Sequence, residues 1–263
     1  MSEIPDSHPR AWSLKIRHRL VEGLKKKVVT ESGLIAHGRG EAFDYLLGEK
    51  TIPPAEEAIK AAAATFLLAE HPVISVNGNV AALVAKEVIE LAEVTNAKIE
   101  VNIFYREPGR LEAIKKELIE HGARDVLGVD EKFWTKIPEI SSMRRIVDVR
   151  GIYKADVVFV PLEDGDRTEA LRKLGKTVIA VDLNPLSRTA QWANITIVDN
   201  IVRCMPLLIK YSKEFKNVSK SELRNIKEKY DNKEILKSVL AYIKNRLDNL
   251  SKKGIIIDEV FNY

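Results

Sequence analysis

The stretch KTVIAVDLNPLSRTAQWANITIVDN, residues 176–200, decides the fold of this chain. Its β-branched run at 177–181 predicts a strand that is buried on both faces, and the run at 195–198 predicts a second strand soon after. Strands buried on both faces belong to sheets that carry helices on each side. The stretch therefore predicts an α/β protein with a parallel sheet.

Similar apolar runs precede this stretch and alternate with helical patterns. The runs that predict strands are at 72–76, 98–104, 125–129 and 156–161. The segments with helical spacing are at 80–94, 107–121 and 168–174. Strands that alternate with helices in this way predict a Rossmann-like doubly wound parallel sheet of about five or six strands.

The N-terminal part of the chain, residues 1–70, is predicted to be mainly helical. One helix is expected at 7–27, where Ser7 can cap it and Pro9 sits in its first turn. An alanine-rich helix is expected at 55–70. These helices come before the first predicted strand, so we expect them to pack on the sheet from outside.

The C-terminal part continues the helical pattern beyond the sheet core at 71–215. A helix at 201–215 is followed by two segments with apolar spacing between 223 and 250, which can cover the core or a partner subunit. The tail at 254–261 is apolar enough to pair as a strand or to dock across an interface. We treat the whole chain as a single α/β domain, with residues 216–263 as a helical extension and tail.

Composition and charge exclude several classes of protein. The chain has 263 residues, 45% hydrophobic and 30% charged, which is typical of a soluble globular protein. Its net charge of +4 is too small to indicate a nucleic acid partner, and we interpret Arg144, Arg145 and Arg150 as a solvated basic face. A single cysteine, Cys204, excludes an intrachain disulfide. No signal peptide or membrane-spanning run is evident, so we expect a cytoplasmic protein with no membrane partner.

Polar side chains follow the two strands of the opening stretch at the point where each strand ends. These residues are Asp182, Asn184, Ser187, Arg188, Asp199 and Asn200. In open parallel sheets, ligands bind outside the carboxyl ends of the strands. Carboxylates, amides, a hydroxyl and a guanidinium together suit a nucleotide. The alternative is an ordinary capped loop, because Asp, Asn, Pro and Ser also form turns.

Two further segments have features of an anion site. The turn formed by Asn77, Gly78 and Asn79 joins a predicted strand to a helix start, where backbone amides can hold phosphate. A plain turn is the alternative. The segment 30–41 brackets His37 and Arg39 with glycines, and we predict that it is a loop leading into a helical run. It lacks the third glycine of a dinucleotide-binding motif.

Several of these motifs, taken in order, resemble one known family. They are Arg17 on the first helix, GLIAHGRGE at 33–41, VNGN at 76–79 and VDLNPLSRTA at 181–190. The chain resembles the archaeal 4-phosphopantoate–β-alanine ligases, also called phosphopantothenate synthetases, from about residue 9 to residue 215. This resemblance implies a homodimer that forms an amide in coenzyme A synthesis and converts ATP to AMP and diphosphate.

The resemblance also implies roles for individual residues. The positions that match ATP-binding residues of the family are Arg17, Arg39, Asp182, Leu183, Asn184, Ser187, Arg188, Asp199 and Asn200. An acyl adenylate requires cations and Mg²⁺ around the α-phosphate, and Arg39 suits that task. We assign the substrate phosphate to Asn77, Gly78 and Asn79, and the proton of the β-alanine amine to His37. No metal ligand is assigned.

Two other function classes remain open from the sequence. A nicotinamide-dependent oxidoreductase can use the same sheet, although the missing G-x-G-x-x-G motif argues against it. A sensor of nucleotides or phosphosugars would bind the same ligands without turnover. Formation of AMP separates a ligase from both alternatives.

Overall fold

The structure of the chain, a computed structural model, describes residues 4–5, 7–8, 10–162 and 165–254. Its helices are α1 (Ala11–Lys25), α2 (Glu31–Leu47), α3 (Pro53–Leu68), α4 (Gly78–Thr95), α5 (Arg110–Glu120), α6 (Gly165–Lys173), α7 (Arg188–Trp192), α8 (Ile201–Phe215), α9 (Lys220–Lys229) and α10 (Asn232–Lys253). Its strands are β1 (Pro72–Val76), β2 (Lys98–Val101), β3 (Trp134–Lys136), β4 (Ile146–Asp148), β5 (Val157–Pro161), β6 (Thr177–Val181) and β7 (Ile195–Ile197).

One parallel sheet runs in the order β2-β1-β5-β6-β7, and β3 and β4 pair separately as an antiparallel hairpin. The register places Val76 opposite Val101, and Val181 opposite both Pro161 and Ile197, so the carboxyl ends of the strands share one edge. This order confirms the predicted Rossmann-like doubly wound sheet. The chain passes from β1 to β2 on one side and later to β5 on the other. The topological switch point, where such sheets bind ligands, therefore lies between β1 and β5.

Helices cover both faces of the sheet, as the apolar strands predict. On one face, Phe159 of β5 contacts Phe66 of α3 with ring centroids 5.7 Å apart, and α4 and α8 pack beside them. On the other face, Val158 packs with Leu171 of α6 and Val147 of the hairpin. Successive side chains of a strand point to opposite faces, so a strand that is apolar at every position buries both.

The C-terminal extension covers the core of the same chain. The helix α10 buries Val239 against Leu47 of α2 and against Leu183 and Val198, which follow the last two strands. The helix α9 packs on α3. Apart from Gly254, the predicted tail at 254–261 lies outside the described residues. Within the described part of the chain, no helix is long and apolar enough to cross a membrane.

Two of the predicted strands differ in the structure. The run 125–129 does not form a strand and makes one isolated bridge, at Leu127. The next residue, Gly128, takes a φ of +86°, and a Cβ there would lie 2.3 Å from the carbonyl oxygen of Val101. The strand β2 ends at Val101 because Asn102 turns its side chain toward the hairpin, where it donates two hydrogen bonds to backbone carbonyls.

The prediction of a loop at 30–41 is wrong, because α2 begins at Glu31. Thr30 caps this helix by accepting a hydrogen bond from the Gly33 N–H at 3.2 Å. The glycine at 33 allows α2 to approach α4, since a Cβ there would lie 2.4 Å from Oδ1 of Asn79. Close helix packing therefore accounts for Gly33, whereas a Cβ at Gly38 would meet nothing within 4 Å among the described residues.

The helix α1 begins later than predicted. It starts at Ala11 rather than Ser7, and the Ala11 N–H donates to the carbonyl of His8 in the preceding turn. Pro9, which we placed in the first turn of the helix, lies outside the described residues. The last residue, Lys25, is within two positions of the predicted end.

The predicted solvated basic face is wrong for Arg144. This side chain is 7% exposed and donates to the carbonyl of Asn102 at 2.8 Å. Arg150 forms an ion pair with Asp148 at 2.7 Å and lies over the ring of Phe133. Arg144 thus joins the segment before β4 to the end of β2, and Arg150 packs within the hairpin region.

A carboxylate of β2 lies in the core beneath the hairpin. Glu100 is fully buried, and its two oxygens accept hydrogen bonds from the N–H groups of Asp148 at 3.0 Å and Ile152 at 2.6 Å. Burial raises the pKa of Glu100 to about 8, although the two backbone hydrogen bonds act to lower it. The folded protein therefore retains a proton that the unfolded chain loses near the ordinary pKa of a glutamate.

We predict that Glu100 makes the folded state less stable as the pH rises from about 5 to 8. In this window the folded state binds one more proton than the unfolded state, so the free energy of unfolding falls by up to about 1.4 kcal/mol per pH unit. Urea unfolding at several pH values should show a negative slope for wild type and a smaller one for Glu100→Gln. The exposed Glu112→Gln serves as control, and equal slopes in all three proteins would contradict the prediction.

Candidate active site

A cavity of about 400 Å³ opens at the carboxyl edge of the sheet, on the side of β2, β1, β5 and β6. Its volume lies in the range of small-molecule sites. The polar side chains that line it are Thr30, Ser32, His37, Arg39, Asn77, Asn79, Arg110, Arg144, Asp182, Asn184 and Ser187. The cavity thus spans the topological switch point and brings together residues from the N-terminal helices, the sheet and the loop after β6.

The loop after β6 contributes Asp182 to the cavity. One oxygen of this carboxylate accepts the Asn184 N–H at 2.9 Å, and the other accepts the hydroxyl of Ser187. Ser187 in turn caps α7 by accepting the Ala190 N–H at 2.9 Å. Burial raises the pKa of Asp182, and the bonds from Ser187 and Asn184 and the charge of Arg39 oppose this shift. The loop therefore forms the expected turn and also faces the cavity.

The helix α2 forms the opposite wall with His37 and Arg39. Arg39 is exposed, and in the described part of the chain it makes no ion pair or hydrogen bond. His37 is half-buried, and burial lowers its pKa, so the imidazole is neutral at pH 7. A neutral imidazole can accept a proton, and a guanidinium in contact with solvent can bind an incoming anion.

The Asn77, Gly78 and Asn79 turn lies at the start of α4. Asn77 caps the helix by accepting the Val80 N–H at 3.0 Å, and its amide donates to the carbonyls of Pro161 and Leu162 at 3.2 Å. The Asn79 amide donates to the Gly33 carbonyl at 2.8 Å. Both side chains are therefore engaged in holding neighbouring segments together. All three residues line the cavity, and Gly78 has no side chain to offer, so the backbone of the first helical turn is left as a possible ligand group.

Two predicted ATP-binding arginines do not line the cavity. Arg17 forms an ion pair with Glu41 at 2.8 Å, between α1 and α2. Arg188 is mostly exposed and pairs with Asp166 and Glu169 of α6 at 2.5 and 2.9 Å. In this structure both guanidinium groups are held by carboxylates outside the cavity.

Asp199 and Asn200 belong to a buried network behind the cavity wall. Arg203 donates to Asp199 and to Asp44 of α2, each at 2.6 Å. Asn200 donates to the same Asp44 at 3.0 Å, and Thr51 donates to Asp199 at 2.6 Å. Burial acts to lower the pKa of Arg203, but its bonds to Asp44 and the charge of Asp199 raise it overall. The strands before these residues are neighbours, as predicted, but the two polar ends face different surroundings.

Among the polar cavity residues that the sequence did not indicate, beside Thr30 and Ser32, are two buried arginines, Arg110 and Arg144. Each is 7% exposed and lines the end of the cavity near β1 and β2. Arg110 begins α5 and donates to the carbonyl of Tyr105 at 2.7 Å. No local sequence pattern distinguishes them from surface arginines, because their burial depends on segments far away in the chain.

Known proteins match almost the whole chain. A family model described as Phosphopantothenate/pantothenate synthetase matches residues 54–246. A 4-phosphopantoate–beta-alanine ligase of Thermococcus kodakarensis is 56% identical over 256 residues, which cover 97% of each chain. A ligase of the same name from Thermococcus onnurineus has the same identity and coverage. Another, from Methanosarcina mazei, is 48% identical over 251 residues, which cover 95% of this chain and 98% of that protein.

We predict that Arg203→Met will lower the free energy of unfolding by about 3 to 5 kcal/mol, because it leaves Asp44 and Asp199 buried without their counter-charge. Urea denaturation measures the loss. Arg188→Met is the matched control: its ion pairs are exposed, so its stability should equal that of wild type within error. Equal stability of the two variants would show that the network does not stabilise the fold.

Proposed function

The chain belongs to the phosphopantothenate/pantothenate synthetase family, and we propose that it joins 4-phosphopantoate to β-alanine with ATP as the third substrate. The proposed products are 4′-phosphopantothenate, AMP and diphosphate, as a step of coenzyme A synthesis. The observation that supports this best is the match to ligases of that name at 56% identity over 97% of both chains. It favours the ligase over the oxidoreductase and the sensor.

The proposed reaction has two steps, because a carboxylate must be activated before an amine can attack it. A carboxylate oxygen of 4-phosphopantoate bonds to the α-phosphorus of ATP, and the bond from that phosphorus to the bridging oxygen breaks, which releases diphosphate. The β-alanine amine then attacks the acyl carbon, and AMP leaves with the former carboxylate oxygen. One proton of the amine passes to a base.

Arg39 is our candidate for stabilising the α-phosphate in the first step. Negative charge concentrates on this phosphate in the transition state, and a positioned guanidinium can donate two parallel hydrogen bonds to it. Arg39 lies on the cavity wall and is exposed to incoming ligands. For the second step we propose His37 as the base, since it lines the same cavity and burial lowers its pKa.

The adenosine part of ATP is proposed to bind at the loop after β6. Asp182 would accept a hydroxyl of the ribose, because a carboxylate that already accepts two hydrogen bonds has further lone pairs available. Asn184 and Ser187 line the cavity beside it, and Leu183 adds apolar surface. These neighbours agree with the nucleotide positions that the family resemblance implies.

Four of the residues that the resemblance assigns to ATP do not line the cavity: Arg17, Arg188, Asp199 and Asn200. For Arg17 and Arg188 to contact ATP, their ion pairs with carboxylates must open, at small cost because both side chains are partly or mostly exposed. Asp199 and Asn200 are buried, and we propose that they position the start of α8 and the adjoining wall. Their effect on ATP binding would then be indirect.

We further propose that Mg²⁺ enters with ATP. This ion keeps several waters and binds mainly through substrate phosphates with one or two carboxylates. Among the described residues that line the cavity, Asp182 alone carries a carboxylate. Because we assign that carboxylate to the ribose, the ion would be held by the phosphates and by water, and it would supply positive charge at the triphosphate.

A homodimer is the proposed assembly. The family resemblance implies it, and α1 and α2 carry large apolar side chains that face solvent: Trp12 is 41% exposed, Ile35 67% and Tyr45 43%. Such side chains in one region are typical of an interface. Since α2 also carries His37 and Arg39, a dimer through this surface would order the cavity wall.

The proposed function predicts that purified protein converts ATP to AMP only when 4-phosphopantoate is present. Each substrate is omitted in turn, and nucleotides and 4′-phosphopantothenate are separated by chromatography. Release of ADP would contradict the adenylate mechanism, because it indicates an acyl phosphate. Binding of ATP without any turnover would favour the sensor.

We predict that Arg39→Lys will reduce kcat/KM by on the order of 100-fold, although it keeps the positive charge. Lysine lacks the planar fork that can hold two phosphate oxygens. Arg19→Lys is the control, since Arg19 donates to the carbonyl of Leu83 outside the cavity. If both variants retain wild-type kcat/KM, Arg39 does not contact the reacting phosphate.

A further inference from the structure

One cation of the cavity is buried without a matching anion. Arg110 is 7% exposed and lines the cavity. Its Nη1 donates to the Tyr105 carbonyl at 2.7 Å, and its Nη2 is 3.5 Å from the Val28 carbonyl. Its Nε has no hydrogen-bond partner in the described part of the chain. A buried guanidinium that is satisfied only by neutral carbonyls retains a full, uncompensated charge.

The position of Arg110 makes this charge more unfavourable. A Cβ built on Gly78, the first residue of α4, would lie 3.0 Å from Nη2 of Arg110, so the guanidinium sits against the first turn of that helix. The N-terminus of a helix carries partial positive charge and unpaired amides. Two positive groups therefore face each other at one end of the cavity. An anion that reaches this end of the cavity and touches both groups would be attracted by each of them.

Within the described part of the chain, no carboxylate forms an ion pair with Arg110. Burial lowers the pKa of Arg110, and the charge of Glu107, which lies on the exposed loop before α5, only partly opposes this shift. Of the described residues that line the cavity, Asp182 is the only one with a carboxylate, and it follows β6. Since β1 and β6 are separated by β5, their ends are about 10 Å apart.

We propose that Arg110 and the first-turn amides of Gly78 and Asn79 bind the phosphate monoester of the acid substrate. This inference rests on the proposed function. It assigns the phosphate to Arg110 and the backbone amides instead of the side chains of Asn77 and Asn79, which bond to neighbouring segments. The adenosine then binds about two strand spacings away, at the loop after β6. A short hydroxy acid with its phosphate at Arg110 directs its carboxylate toward the nucleotide.

The close contacts of Gly78 agree with this assignment. A Cβ at this position would lie 2.0 Å from the carbonyl oxygen of Val28 as well as near Arg110. Only glycine therefore allows the start of α4, the carbonyl of Val28 and the guanidinium to meet at one point. Gly78 and Asn79 both line the cavity, and among the described residues their backbone N–H groups donate no hydrogen bond.

The test compares 4-phosphopantoate with pantoate, which lacks the phosphate, in wild type, Arg110→Met and Arg110→Lys. We expect kcat/KM for 4-phosphopantoate to fall roughly 10- to 100-fold in Arg110→Met, as for the loss of hydrogen bonds to a charged group. The smaller kcat/KM for pantoate and the KM for ATP should stay at wild-type values. Arg172→Met is the control, because Arg172 lies outside the cavity lining and donates to the Trp192 carbonyl.

Calorimetric titration of 4-phosphopantoate separates this inference from the proposed function. If wild type forms no AMP, the proposed function fails, and the titration still decides the phosphate site. Arg110→Lys covers the case in which Arg110→Met does not fold. Unchanged affinity of Arg110→Lys for 4-phosphopantoate, an equal loss for both acids, or a raised KM for ATP alone would overturn the assignment.

Discussion

The side chain of Asn102 is the contact on which the cavity end of the sheet depends. Its amide nitrogen donates to the carbonyls of Arg144 and Ile146, each at 3.1 Å, and its oxygen accepts from Arg167 at 2.6 Å. Its own N–H donates to the Val76 carbonyl at 2.9 Å, and its carbonyl accepts from Arg144. Asn102 is completely buried. A buried amide whose groups are all paired fixes its neighbours, because each lost bond would leave a polar atom unsatisfied.

This one residue joins the sheet to the segments packed on it. Its bonds to the carbonyls of Arg144 and Ile146 hold the hairpin. Its bond from Arg167 holds the first turn of α6, and the guanidinium of Arg167 also donates to Ser75 of β1 at 2.9 Å. Glu100, two residues before Asn102, accepts two hydrogen bonds from backbone N–H groups, one at the end of the hairpin and one in the turn after it. A connected polar network therefore lies behind the end of the cavity that Arg144 lines, while the loop after β6 and α2 provide more accessible walls.

The strands were predictable from the sequence where local pattern decided their structure. The runs that became β1, β5, β6 and β7 are apolar at nearly every position, and only burial on both faces accommodates such runs. The prediction failed at 30–41, where a glycine-rich segment forms α2 and Gly33 packs against α4, and at 125–129, where Gly128 approaches the backbone of β2. In both cases the deciding contact comes from a distant part of the chain.

The same distinction applies to the site. Asp182, Asn184 and Ser187 line the cavity as expected, because a polar loop after a parallel strand has few other places to go. Asp199 and Asn200 have the same local pattern, but Arg203 and Asp44 hold them. Nothing near Arg110 in sequence indicates that Val28, 82 residues away, helps to bury it. Local chemistry predicts which residues can bind a ligand, and tertiary contacts decide which of them face it.

In the proposed mechanism, the cavity brings a carboxylate oxygen of the acid substrate onto the α-phosphorus of ATP. This step can be followed with 4-phosphopantoate labelled with ¹⁸O in its carboxylate and mass spectrometry of the products. We expect one ¹⁸O atom in AMP for each amide formed, because the attacking oxygen leaves with the nucleotide. Unlabelled AMP, or ¹⁸O in inorganic phosphate, would contradict it.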